Sequence, residues 1–362
     1  MFDSFALSDV GRVRQTNQDS GYAGAFLLVV ADGMGGHAGG DVASRIAVSH
    51  LAQLDREFTS ISEAKRELKK HVLRANQLIL NVVVEYPQLA GLGTTLSAVV
   101  RVGSTAVIAH IGDSRVYRVR DSRIQQLTKD HTFVQQLIDG GRITAAEATV
   151  HPRRSVLMRV LGDVDARPEL DLIEADIDSA DTWLVCSDGL TGVMADADIL
   201  ARVARKGALS QRARGLLSQS LDLGAPDNVT LVIAQPLPTS LGSSVDDSSP
   251  VPRGTFVGSA TGDDPLNNLL QTSSPNRVSR SRVSSPLPVS TDGIPVILDE
   301  ADAADTSDDG SASTGNSQSD VLRRFFSSQR SRVILAIIVG VVVISAAVAL
   351  VLVTTHGGGP TG

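Results

Sequence analysis

Residues 26–31, Phe-Leu-Leu-Val-Val-Ala, run directly into Asp32-Gly33-Met34-Gly35-Gly36-His37-Ala38-Gly39-Gly40. A row of strand formers thus delivers one carboxylate into a turn so rich in glycine that backbone amides and carbonyls approach a ligand closely. A hard cation or a phosphate is held in this way. Two distant stretches repeat the design: Trp183-Leu184-Val185-Cys186 ahead of Ser187-Asp188-Gly189, and Gly224-Ala225-Pro226-Asp227-Asn228 ahead of Val229–Ile233. A single Asp-Gly is an ordinary turn, but three aspartates at strand ends point to one acidic centre.

Composition divides the chain. Residues 1–235 read as one globular domain. From Pro236 to Asp320, Ser, Pro, Asp, Thr and Gly dominate, so residues 236–332 are expected to be a disordered linker with a basic juxtamembrane end. Residues 333–353 carry no charge and are long enough to cross a hydrocarbon core of about 30 Å as a helix. Arg323, Arg324, Arg330 and Arg332 precede that span and no Lys or Arg follows it. The positive-inside rule then places the globular domain in the cytoplasm and residues 354–362 outside as a short extracellular tail. No secretory leader is evident at the N-terminus. The net charge of −7 and scattered basic residues argue against nucleic acid as a ligand. The lone Cys186 sits in a strand-like run and is expected to be a buried hydrophobe.

Along the globular part, Phe2–Ser8 alternates as a half-buried or edge strand does. Residues 11–19 form a polar loop. Helices are expected over the Val42–Leu54 period and from an N-cap at Ser62, the second with Leu68, Val72, Ile79 and Val83 inward and Lys65, Arg66, Lys69 and Lys70 outward. Residues 93–102, 104–111, 115–120 and 123–127 read as one antiparallel meander. Further helices are expected near 132–138, 196–204 and 211–221, with strands at 182–186 and 229–234. Short strand connections with helices bunched between them favour antiparallel sheets covered by helices, an α+β arrangement.

Mg²⁺ and Mn²⁺ prefer oxygen ligands, taking one or two carboxylates with carbonyls and water filling in. Asp32, Asp188 and Asp227 supply such carboxylates and Gly33 a carbonyl. Cations there activate water for in-line attack on phosphorus, and Arg14 is the candidate to grip the phosphate with its planar fork. His37, in the glycine turn, is the candidate acid.

Six segments, Arg14-Gln-Thr-Asn-Gln-Asp19, Val30-Ala-Asp-Gly-Met-Gly-Gly-His-Ala-Gly-Gly40, Gly93-Thr-Thr-Leu96, Ile111-Gly-Asp-Ser-Arg115, Cys186-Ser-Asp-Gly-Leu190 and Asp227-Asn-Val-Thr230, resemble in order the motifs of the metal-dependent Ser/Thr protein phosphatases of the PPM, or type 2C, family. With its linker and span, the chain is similar to the membrane-anchored members that actinobacteria pair with receptor-type Ser/Thr kinases. The resemblance implies a sandwich of two antiparallel β-sheets flanked by helices, with two or three Mn²⁺ or Mg²⁺ ions in a cleft at one end. It implies that Asp32 bridges two ions, Gly33 lends a carbonyl, Asp188 and Asp227 hold the second ion, Asp19 stands behind them, and Arg14 binds substrate phosphate. Asp113 matches the ligand of a third ion, with Ser155 as its assistant. Three positions depart from the pattern: Gln18 replaces a Glu, Met34 a His, and Gly192 an Asp of the third site.

The expected activity is hydrolysis of phosphoserine and phosphothreonine by metal-activated water, reversing Ser/Thr kinase signalling at the membrane. Expected partners are phosphorylated proteins, among them receptor-type kinases and proteins of division or the envelope. A non-catalytic phosphoprotein-binding regulator with the same fold is one alternative. A small-molecule phosphoesterase is another, although an aromatic content of 3% leaves little for base stacking.

Overall fold

The computed structural model describes residues 1–35, 39–163, 167–237 and 254–262. These all lie in the first of two units, Met1–Arg280 and Ser281–Gly362. His37, the proposed span at 333–353 and the tail at 354–362 fall outside the described residues, as does most of the 236–332 stretch. Among the described residues, no helix is long and apolar enough to cross a membrane.

The chain opens with β1 (Phe2–Asp9), β2 (Asp19–Ala23) and β3 (Leu27–Met34), followed by α1 (Gly40–Leu51) and α2 (Ile61–Glu85). Then come β4 (Gly93–Thr94), β5 (Leu96–Val102), β6 (Thr105–Ile111), β7 (Arg115–Arg120) and β8 (Arg123–Gln126). The short helices α3 (Phe133–Asp139) and α4 (Ala145–Thr149) precede β9 (Asp171–Asp176) and β10 (Thr182–Cys186). Helices α5 (Asp188–Thr191), α6 (Asp196–Val203) and α7 (Leu209–Asp222) lead to β11 (Val229–Pro236) and β12 (Thr255–Gly258).

The strands form two antiparallel sheets. The smaller has the order β1-β11-β10-β7-β8, and the larger β12-β2-β3-β5-β6-β9 with β4 on β3. Central strands are buried on both faces, which is why they read as continuous apolar runs. In β3, Leu27, Val29 and Ala31 face α1 and α2, while Leu28 and Val30 enter the layer between the sheets. In β10, Trp183 and Val185 fill that same layer, and Leu184 and Cys186 turn towards α5–α7. The result is helices, sheet, sheet, helices. Leu68, Val72 and Ile79 of α2 are fully buried against the larger sheet, and each such side chain stabilises the fold by about 1.5–3 kcal/mol.

Three expectations are corrected. The N-cap of α2 is Ser60 rather than Ser62: its hydroxyl accepts from Glu63 N, while Glu63 accepts from Thr59 N, so the polar turn closes two residues earlier. The single meander is divided. β5 and β6 pair in the larger sheet and β7 and β8 in the smaller, because the Gly112–Ser114 turn carries the chain between layers. His131 fixes that turn from both sides: its N donates to Gly112 O at 2.7 Å and its Nδ1 accepts from Gly112 N at 3.1 Å. Finally, β12 lies inside the stretch read as linker. It pairs with β2 from Thr255↔Ala23 to Gly258↔Ser20. Four residues with an aromatic and a β-branched pair find an edge strand there, a signal that vanishes when composition is averaged over the surrounding Ser- and Pro-rich chain.

Candidate active site

The ends of β2, β3, β7, β10 and β11 meet at one edge of the sandwich around a cleft of about 630 Å³. Asp32, Gly33, Asp113, Ser155, Asp188 and Asp227 line it together with Arg14. Sequence positions more than 200 apart are brought together by sheet pairing: β1 joins β11 through Asp9↔Val229, β10 joins β11, and β7 joins β10. Asp19 lies directly across the ladder from Asp32.

The backbone of Asp32 is held by the Thr94-Thr95 pair. Asp32 N donates to Thr95 Oγ1 at 2.9 Å, and Asp32 O accepts from Thr95 N at 2.9 Å and from Thr94 Oγ1 at 2.9 Å. Thr95 Oγ1 also bonds Ser114 Oγ at 2.8 Å, which couples Asp32 to the turn carrying Asp113. Gly33 N donates to Gln18 O, and a Cβ at Gly33 would stand 2.0 Å from Gly40 O. Only glycine permits this approach of the two ends of the loop.

Asp19 is fully buried and accepts from Ser187 Oγ at 2.7 Å. Asp227 accepts from Arg14 Nη2 at 2.8 Å and from Asn228 N at 2.9 Å. Asn228 clamps the loop that bears Arg14: its Nδ2 donates to Val10 O and Thr16 O, and its Oδ1 accepts from Gln18 N. Ser155 is exposed on the rim. Asn228, Thr94, Thr95 and Ser187 were not singled out from sequence, although each stands beside a flagged Asp or inside a flagged motif. A short polar residue next to a strand-end carboxylate was the available signal.

The electrostatics are one-sided. Among the described residues lining the cleft, the carboxylates of Asp32, Asp113, Asp188 and Asp227 face one guanidinium, Arg14. Burial, then the charges of Asp19 and Asp188, push Asp32 well above the ordinary carboxylate range. Burial pushes Asp19 up to about 7, against the hydrogen bonds from Ser187 and Thr230. Asp113 is raised by burial and then by Asp188, and Asp188 by burial and then by Asp227. Oδ1 of Asp19 and Oδ1 of Asp188 are buried with no hydrogen-bond donor.

Orphaned carboxylate oxygens in an uncompensated acidic nest are a donor set suited to hard divalent cations. Among the described residues, no three His, Cys, Asp or Glu side chains close on one point as a ready ligand set.

Residues 12–222 match the family model for protein phosphatase 2C. The serine/threonine protein phosphatase PstP of Mycobacterium tuberculosis is 42% identical over 259 residues, covering 72% of this chain and 48% of that protein. The chain thus spans about half the length of that relative. The serine/threonine phosphatase stp of Listeria monocytogenes is 36% identical over 238 residues, covering 63% of this chain and 93% of the relative. The crystal structure of the M. tuberculosis PstP/Ppp phosphatase superposes with a TM-score of 0.62 at 43% identity, over 65% of this chain and 98% of that one. A PstP catalytic domain in complex with two manganese ions gives a TM-score of 0.58 at 42% identity, over 65% and 97% of the two chains. The chain belongs to the protein phosphatase 2C family.

Proposed function

We propose that this chain is a metal-dependent protein serine/threonine phosphatase that works at the cytoplasmic face of a membrane. One observation carries the reading: four half-buried carboxylates converge on a cleft where, among the described residues lining it, the one facing cation is an arginine. Such a cleft repels a phosphate ester until added positive charge fills it. Asp32, Asp188 and Asp227, with the carbonyl of Gly33, would hold two Mn²⁺ or Mg²⁺ ions, and Asp113 a third. Bound there, the ions supply Lewis acidity towards water and phosphate.

The chain's own groups do the rest. Arg14 is half exposed at the mouth, where its fork takes two phosphate oxygens. Thr94 and Thr95 hold the backbone of Asp32, and Ser187 holds the Asp19 carboxylate behind it, so little reorganisation accompanies charge development. Hydrolysis forms a bond from water oxygen to phosphorus and breaks the one to the Ser or Thr oxygen. The departing alkoxide takes a proton, for which His37 is the candidate donor. The likeness to stp and PstP supports phosphorylated proteins as substrates.

Location belongs to the same proposal. The uncharged run at 333–353, preceded by four arginines, anchors the domain on the cytoplasmic side. Confinement there raises its effective concentration towards membrane-bound phosphoproteins such as receptor-type kinases.

The test uses the full chain in detergent micelles with a phosphothreonine peptide. Phosphate release should require Mn²⁺ or Mg²⁺, stop on chelation and be absent from Asp32→Asn. Release that persists in chelator rejects the assignment.

A further inference from the structure

Strand β12 and the turn after it, residues 254–262, lie beyond the catalytic core that ends with β11, yet they sit against the back of the metal site. We propose that this segment is a positioning element of the active site, holding the backbone of Asn17–Asp19 and through it the Asp19 carboxyl. The inference rests on the metal-dependent reading above.

The segment has two halves. Its first half anchors it: Gly254 N donates to Tyr22 Oη at 2.9 Å, and the Phe256 ring packs on Tyr22 with centroids 4.8 Å apart. Tyr22 is in turn fixed by Asp55, whose carboxylate accepts from its hydroxyl and from Phe26 N and Leu27 N. This half closes an edge strand that would otherwise present unpaired amides and carbonyls.

The second half points at the site. Val257 lies over Gly21, where an added Cβ would come within 2.9 Å of Val257 Cγ2. Gly258 has φ +69°, and a Cβ there would stand 2.3 Å from Asp19 O, so its backbone rests directly on the Asp19 carbonyl. Ser259 Oγ donates to Asn17 O at 2.5 Å. Asn17 Oδ1 accepts from Asp19 N at 3.1 Å, and Asn17 Nδ2 donates to Ser8 Oγ. Ser8 Oγ meets Thr230 Oγ1 at 2.6 Å, Thr230 N donates to Ser187 Oγ, and Ser187 Oγ donates to Asp19 Oδ2. Both routes from Ser259 end on Asp19, one on its backbone and one on its carboxylate. Edge closure alone needs neither contact.

Groups behind a metal's ligands set the orientation of those ligands, and losing one weakens metal affinity more than it weakens the fold. The test compares full-length wild type with Ser259→Ala, Ser259→Thr, Gly258→Ala and Phe256→Ala in detergent micelles. It measures Mn²⁺ affinity by calorimetric titration, the thermal midpoint, and kcat and KM on a phosphothreonine peptide at saturating Mn²⁺. Ser259→Ala and Gly258→Ala should weaken Mn²⁺ binding by about three- to tenfold, the worth of one hydrogen bond, with KM unchanged. Ser259→Thr keeps the hydroxyl and should stay within about twofold of wild type. Phe256→Ala should lower the midpoint and weaken Mn²⁺ binding as the anchor loosens. Unchanged Mn²⁺ affinity in both Ser259→Ala and Gly258→Ala overturns the inference while leaving the phosphatase reading intact. A wild-type chain that takes up no Mn²⁺ overturns both.

Discussion

Arg14 donates to Asp227 at 2.8 Å across the mouth of the cleft, so the arginine proposed to grip phosphate is already oriented by a carboxylate proposed to hold a cation. The pair is partly exposed, at 52% and 33% for the two side chains, and contributes little to stability. Its value is orientation. Arg14→Ala should raise KM for a phosphothreonine peptide by about ten- to hundredfold, the range of a charged hydrogen bond, while Mn²⁺ affinity is kept. Arg14→Lys should recover only part of this, because a point charge cannot fork onto two oxygens. Full recovery with Lys in steady-state assays would argue against the fork.

Asp32 and Asp113 face the same cleft but should not be equivalent. Asp32→Asn removes charge from the most crowded carboxylate and should lower turnover by more than about a hundredfold, with Mn²⁺ binding lost in calorimetry. Asp113→Asn should shift the Mn²⁺ dependence of the rate and leave tight binding in place. Normal Mn²⁺ uptake by the Asp32 variant is the result that excludes it as a bridging ligand.

The raised carboxyls make stability depend on pH and on metal together. A carboxyl whose native pKa exceeds its unfolded value of about 4 stabilises the fold fully below that pH and loses the contribution as pH rises through the native value. For Asp19 that value is about 7. His110 acts in the opposite sense: burial and then the charge of His131 push it down to about 4, so it costs stability only as pH falls below about 6.5. In the interval from about pH 6.5 to 8 the Met1 α-amino group, lowered by burial and then by Arg101, opposes the carboxyls, so the measurement uses an N-terminally acetylated chain, from which that charge is removed. In chelator, the thermal midpoint should fall across that interval, and Mn²⁺ should abolish the fall. A midpoint that is flat or rising in chelator refutes this account.

Cys186 offers an independent probe of the fold. It is fully buried on β10, and burial pushes its thiol up to about 12. Iodoacetamide at pH 8 should leave the native chain unmodified, and labelling should track unfolding in denaturant. Cys186→Ala should retain phosphatase activity within about twofold, with a modest loss of stability from the small cavity. Mass spectrometry showing rapid native labelling would mean that β10 opens.

Tethering is tested by ending the chain at residue 332, which keeps β12 and removes the proposed span. In cells, phosphorylation of membrane kinases should rise, while a freely soluble phosphoprotein is processed as before. Equal effects on both substrates would remove the case for proximity.

Local signals in the chain were sufficient for much of this. Alternation and glycine turns marked β1, β3, β5–β8, β10 and β11, because strand period and turn chemistry depend on a few neighbouring residues. Asp32, Asp188 and Asp227 were legible as strand-end carboxylates for the same reason. Pairing is a long-range choice, and there the sequence was silent. Nothing near Ile111 says that the next strand joins the other sheet; that depends on His131 and Ser97 gripping the Gly112–Ser114 turn. Nothing near Asp19 says that it stands across from Asp32, since register is set by the burial of whole faces. Asn228 acts as a clamp only because β11 lies beside β1 and brings the loop after β1 within reach. Strand β12 was hidden in a polar stretch because four residues order only when an unpaired edge is already present to receive them.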